Sequence, residues 1–184
     1  MKDIASSLHD LVGLFGRLGI PYAVMGGLAV RLYGIPRPTF DVDFTAAVER
    51  DRLSELYEHL RDMGYTVSDE RVKGWVDTVA GMPIVKTKLF VEGRSIDIDI
   101  FLAESPYQQE LLARRRCTET LGSPVWFVSP EDLVLLKLLS YRPRDVADIG
   151  DVLFTQRQLD EGYLRQWAAT LGVSARLDDV LAGQ

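Results

Sequence analysis

The stretch that most constrains this chain is residues 22–44, YAVMGGLAVRLYGIPRPTFDVDF. Tyr22, Ala23, Val24 and Met25 form an apolar run of strand length, and it meets a Gly26-Gly27 pair. Leu28, Ala29 and Val30 then read as the opening of a helix. After Gly34, Pro36 and Pro38 comes Phe40-Asp41-Val42-Asp43-Phe44, which alternates apolar and acidic residues as a strand does. Alternation sends Phe40, Val42 and Phe44 to one face and both carboxylates to the other. Two like charges about 7 Å apart repel unless a cation sits with them. A divalent metal answers that need. The Gly-Gly turn offers backbone N–H groups and a helix N-terminus, which suit phosphate. Metal beside phosphate points to nucleotide chemistry.

A second acidic strand follows. Residues 85–91 (VKTKLFV) and 95–101 (SIDIDIF), joined by a turn at Glu92-Gly93-Arg94, read as a β-hairpin. Its second arm puts Ile96, Ile98 and Ile100 on one face and Asp97 and Asp99 on the other. If that arm pairs beside the first acidic strand, three or four carboxylates converge at one sheet edge. Periodicity alone does not choose between Asp97 and Asp99.

The rest of the chain supplies helices and two shorter strand segments. Residues 3–18 and 53–63 carry apolar residues at helical spacing, stopped by Gly19 and Gly64. Val67 starts a further strand, and residues 69–74 read as loop. Residues 106–115 read as a polar helix ending in Arg114-Arg115-Arg116, where cations suit the helix dipole. A short strand at 125–128 precedes Ser129-Pro130-Glu131-Asp132, an N-cap with proline at N1 and acid in the first turn. The helix that follows, 133–140, is apolar nearly all round except for Lys137. Burying a lysine unpaired is unfavourable, so Lys137 either snorkels out or faces an anion. Arg142, Arg144 and Asp145 open the next helix, and a last helical region runs over residues 159–171.

These elements predict an α/β (α+β) fold: a small mixed sheet with flanking helices and a C-terminal helical part. With 184 residues, 47% of them apolar and 26% charged, the expectation is a single domain over 1–184. Its α/β core spans about 1–128, and helices over about 129–184 pack on it. A net charge of −6 excludes a surface that attracts nucleic acid as a whole, so RNA contact needs a local basic patch. The single Cys117 excludes an internal disulfide and suits a reducing cytoplasm, the expected compartment. Met1-Lys2-Asp3 leads into a helix rather than a signal peptide, and no apolar run approaches ~18 residues, so no membrane association is expected.

Taken together these residues resemble the nucleotidyltransferase superfamily with the polymerase-β-like fold. The resemblance rests on Gly26-Gly27, on Asp41-Val42-Asp43, and on Arg37 and Thr39 at R-x-T-x-D-x-D spacing. Within the superfamily the chain is most similar to the AbiEii group of toxin nucleotidyltransferases, over residues 20–155. That group adds a lysine-bearing helix, here Lys137, and an R-x-K-D motif, here Arg142-Pro143-Arg144-Asp145. Arg144 departs from the motif, keeping the charge but not lysine's point-donor geometry.

The resemblance implies that Asp41, Asp43 and a third aspartate hold two divalent ions, Mg²⁺ with Mn²⁺ as the alternative. The third is Asp99, because Ser105-Pro106 follows it at the family's distance. Gly26, Gly27, Arg37, Thr39, Lys137, Arg142, Arg144 and Asp145 are the implied nucleotide contacts, with Lys137 also catalytic. The implied activity moves an NMP from an NTP to an acceptor hydroxyl and releases pyrophosphate. As a toxin of a toxin–antitoxin system, the protein would act on tRNA or other RNA and meet a cognate antitoxin protein. Two alternatives stand beside this: a catalytically degenerate binding or antitoxin module, and a small-molecule nucleotidyltransferase of aminoglycoside type. The intact carboxylates argue against the first.

Overall fold

A computed structural model describes residues 3–68, 77–91, 93–120 and 122–183. The chain begins with α1 (Ile4–Leu18), capped by Asp3, whose carboxylate accepts from the Ser6 N–H, and closed by Gly19 at φ 64°. Its buried face carries Leu8, Leu11, Leu14 and Phe15. β1 (Tyr22–Met25) is buried throughout and runs directly into α2 (Gly26–Tyr33). β2 (Asp41–Ala46) is followed by α3 (Leu53–Asp62) and the short β3 (Tyr65–Thr66). Next come β4 (Asp77–Val79), β5 (Met82–Val91) and β6 (Arg94–Leu102), then α4 (Pro106–Ala113). β7 (Arg116–Thr120) and β8 (Ser123–Phe127) form a hairpin. Four helices complete the chain: α5 (Pro130–Ser140), α6 (Pro143–Thr155), α7 (Glu161–Thr170) and α8 (Ser174–Ala182).

The strands form one mixed sheet in the order β3-β5-β6-β2-β1-β8-β7, with β4 on β5. β2 runs parallel to β6 and antiparallel to β1, and β1 runs parallel to β8. One face packs on α1, where the Phe44 ring meets Phe15 at 5.2 Å and Tyr22 at 6.0 Å between centroids. Val42, Phe44, Ile98, Ile100 and Leu102 on that face are wholly buried. The other face of β2 and β6 is thereby left to the aspartates.

Several elements differ from their sequence reading. Phe40 does not share the buried face of Val42 and Phe44: it precedes β2 and is 76% exposed. The acidic strands are central rather than at a sheet edge, because β1 and β5 flank them. The strand near Val67 ends at Thr66, and the loop expected at 69–74 and Glu92 of the hairpin turn lie outside the described residues. The helix over 106–115 stops at Ala113 and buries Tyr107, Gln108, Leu111 and Leu112, so it is not polar all round. Arg116 belongs to β7, a strand whose polar sequence RCTET shows no alternation. Ser129 does cap α5, accepting from the Asp132 N–H, and Gln156 ends α6. No helix among the described residues is long and apolar enough to cross a membrane.

Candidate active site

The parallel register of β2 and β6 sets Asp41 beside Asp97 and Asp43 beside Asp99. Asp41, Asp43 and Asp99 line one cavity of about 610 Å³, whereas Asp97 is not among its lining residues. Asp97 pairs instead with Lys88 at 3.0 Å, with both side chains about half exposed. Asp41 accepts a hydrogen bond from the Thr39 hydroxyl at 2.6 Å, and Asp99 accepts from Lys86 Nζ at 2.8 Å. Burial, then the charges of Asp41 and Asp99, push Asp43 up to about 7, against the partial relief of Lys137 and Lys86. Asp43 is therefore the carboxyl of the site that most readily keeps a proton.

Both glycines are required by what packs against them. Gly26 has φ +63°, and a Cβ there would lie 1.8 Å from Asp43 Oδ2. A Cβ on Gly27 would lie 2.4 Å from the Thr39 hydroxyl oxygen. The turn thus makes room for the side chains that form the acidic site, and α2 begins at its wall with no side-chain cap from Met25. Its leading N–H groups carry the positive end of the helix dipole.

Across the cavity stands a group of cations tied to α6. Lys137, 8% exposed, donates to Asp145 at 2.9 Å and to Asp148 at 2.6 Å. Arg142 pairs with Asp145, and Arg37 grips Asp148 with Nε and Nη2 at 2.7 and 2.8 Å. Burial raises both aspartates, but the hydrogen bonds from Arg142 and Lys137 to Asp145, and from Arg37 and Lys137 to Asp148, outweigh it. Both stay below the ordinary carboxylate range. Arg144 donates to the Pro38 carbonyl at 3.2 Å. Three cations on two carboxylates leave one formal positive charge facing the strand aspartates. Lys137 thus faces anions rather than snorkelling out, and both it and Arg37 are held by carboxylates of α6.

The family described as Nucleotidyl transferase AbiEii toxin, Type IV TA system, matches residues 13–171. The chain belongs to that family. It is a nucleotidyltransferase of mixed α/β fold. No curated protein matches the sequence. Among solved structures, it is similar to an antigenic nucleotidyltransferase-like protein from Paracoccidioides brasiliensis, at 22% identity and TM-score 0.58 over 98% of this chain and 92% of that one. It is similar to ANT(2")-Ia in complex with adenylyl-2"-tobramycin, at 16% identity and TM-score 0.56 over 91% and 95%. Lincosamide antibiotic adenylyltransferase LnuA, lincomycin-bound, shows 17% identity and TM-score 0.54 over 83% and 98%. At these identities the likeness is one of fold.

The AbiEii-family site has a donor set that fits a hard divalent cation: three strand carboxylates, with Asp145 engaged by Lys137 and Arg142 and no Cys or His in the lining. Among the described residues no three acidic, His or Cys side chains are already drawn together to hold one. Asp99 is turned to Lys86 and Asp41 to Thr39, so ion binding would recruit these oxygens from their present partners. Two residues of the site escaped the sequence reading. Lys86 looked like one polar residue of an alternating strand, and the KTK-over-DID match was its available signal. Asp148 lies 111 residues from Arg37, and nothing local announces that pairing. Phe40, read from alternation as sharing the face of Val42 and Phe44, lies at the cavity wall.

Proposed function

We propose that this AbiEii-family protein transfers an NMP from an NTP to an acceptor hydroxyl with divalent-ion dependence, acting as the toxin of a toxin–antitoxin pair on tRNA or other RNA. The observation that carries the reading is one cavity with Asp41, Asp43 and Asp99 on one wall and the Lys137, Arg142 and Arg37 group on another. A bound Mg²⁺ or Mn²⁺ would be held by the aspartates of the first wall, Asp41 and Asp43 foremost, and would supply charge neutralisation at the phosphates.

The chain's own residues do the remaining work. The Gly26-Gly27 backbone and the α2 N-terminus receive phosphate oxygens, and Lys137, Arg142 and Arg144 balance the triphosphate charge. Thr39 holds Asp41 in place. Asp99 takes the proton of the acceptor hydroxyl; the acceptor oxygen bonds to the α-phosphorus, the bond to the β-phosphate oxygen breaks, and pyrophosphate leaves. Phe40, exposed at the cavity, with Arg142 and Arg144 beside it, supplies the aromatic and guanidinium surface that stacks and clamps a single-stranded RNA end.

Incubation with each α-labelled NTP, Mg²⁺ and total tRNA tests the reading. Label is expected on RNA with the parent and to vanish with Asp41→Asn, Asp43→Asn or Asp99→Asn. Label on tobramycin or lincomycin but never on RNA would move the acceptor to a small molecule. No label transfer and no pyrophosphate release would overturn the enzyme reading.

A further inference from the structure

We infer that Lys86 takes the place of one of the two divalent ions expected at the carboxylates, so that the site holds a single divalent ion. The inference rests on the metal-dependent reading above. It starts from a register. β5 and β6 pair antiparallel with Lys86 opposite Asp99 and Lys88 opposite Asp97, so a Lys-Thr-Lys triplet lies over an Asp-Ile-Asp triplet. Directly opposed residues are held within reach of one another by the main chain. An ammonium at Asp99 is therefore a built feature of the sheet.

The two pairs sit in different places. Lys88 and Asp97 lie outside the cavity with 54% and 52% of their side chains exposed, an arrangement in which an ion pair does little. Lys86 and Asp99 both line the cavity, with 41% and 24% of their side chains exposed. Among the described residues, no ion pair joins Asp41 or Asp43 to a cation. The three carboxylates of the site are thus divided: Asp99 carries a cation already, and Asp41 and Asp43 carry none. One divalent ion on the Asp41–Asp43 pair completes the neutralisation. A second on Asp99 would have to displace the Lys86 ammonium, which the strand register keeps within reach of Asp99, and then share the cavity with its charge.

The division also gives Asp99 a distinct task. Lys86 occupies its Oδ2, which leaves Oδ1 to take the proton of the acceptor hydroxyl. Lys86 is a positioning residue here, and it acts through Asp99.

Counting bound ions tests this directly. Equilibrium dialysis with Mn²⁺ and one equivalent of α,β-methylene-ATP, -CTP, -GTP or -UTP, read by electron paramagnetic resonance, gives the number of ions per chain. One ion is expected for the parent and for Lys88→Met, and two for Lys86→Met and Lys86→Gln, with circular dichroism confirming that each variant is folded. Two ions on the parent would overturn the inference while leaving metal-dependent transfer standing, as would one ion on both Lys86 variants. No bound ion on any of the proteins would overturn the inference together with the metal-dependent reading.

Discussion

Replacing Asp43 by Asn should stabilise the protein at alkaline pH and leave it unchanged at acid pH. Folding moves this carboxyl from its ordinary 3.8 to about 7, through burial and then the charges of Asp41 and Asp99. A raised pKa means that the native state binds the proton more tightly than the unfolded chain does. Its favourable contribution is complete below pH 3.8 and is lost as pH rises through 7. Three pH units at ~1.36 kcal/mol each set a ceiling of ~4 kcal/mol. Asp43 is partly open to water, so ~1–3 kcal/mol is the expected loss. Asn has nearly the same shape and does not titrate. Urea unfolding in EDTA at pH 3, 5, 6, 7 and 8.5 should therefore show Asp43→Asn equal to the parent at the lowest pH. Its advantage should grow through pH 6 and 7 and level off above. Asp99→Asn should recover part of the same gain, since it removes one of the charges acting on Asp43. A stability difference that did not vary with pH would refute the argument, because packing changes carry no proton dependence.

Lys137→Met should lower stability by ~2–3 kcal/mol, below the usual figure for breaking a buried pair because Asp145 and Asp148 each retain an arginine; urea midpoints check this, and an unchanged midpoint would show the network to be idle. Gly26→Ala should abolish transfer by displacing the Asp43 carboxylate, whereas Gly19→Ala, with nothing within 4 Å of the added Cβ, should lose only the ~1–2 kcal/mol of left-handed strain; equal activity in the two would sink the steric account. Phe40→Ser should change the melting temperature little while Phe44→Ala loses ~3–5 kcal/mol, a contrast read by thermal denaturation that the shared-face reading would not give.

The carboxylates were legible because alternation is a local rule. Asp41, Asp43 and Asp99 could be placed on one face from a few residues of pattern, and their register followed once the two strands paired in parallel. Where a strand begins was less legible, and Phe40 was carried one residue too far into β2 for that reason. β7 carries no apolar period, so its strand character comes from pairing with β8 and from the Arg115 guanidinium lying over Trp126. The need for Gly26 could be suspected from its turn, but its physical cause, the Asp43 carboxylate filling the absent Cβ, exists only after both segments fold. Lys137 illustrates the same limit. Its burial among leucines was readable, and its partners were not, because they come from the following helix and answer to Arg37 far upstream.

The bond between Arg37 and Asp148 spans 111 residues, and it dictates an order of assembly. During synthesis the acidic strands are complete once residue 102 has emerged, yet the cations that face them wait for residue 148. A nascent chain at that stage has Lys86 and Lys88 on Asp99 and Asp97 but no ion pair at Asp41 and Asp43, a local excess of negative charge that disfavours RNA and free nucleotide. The competent centre closes only when α6 docks, a late and long-range event of the kind that is slow because distant segments must first meet. A copy that ends before α6 is therefore expected to lack the anchored cations and, with them, transfer activity.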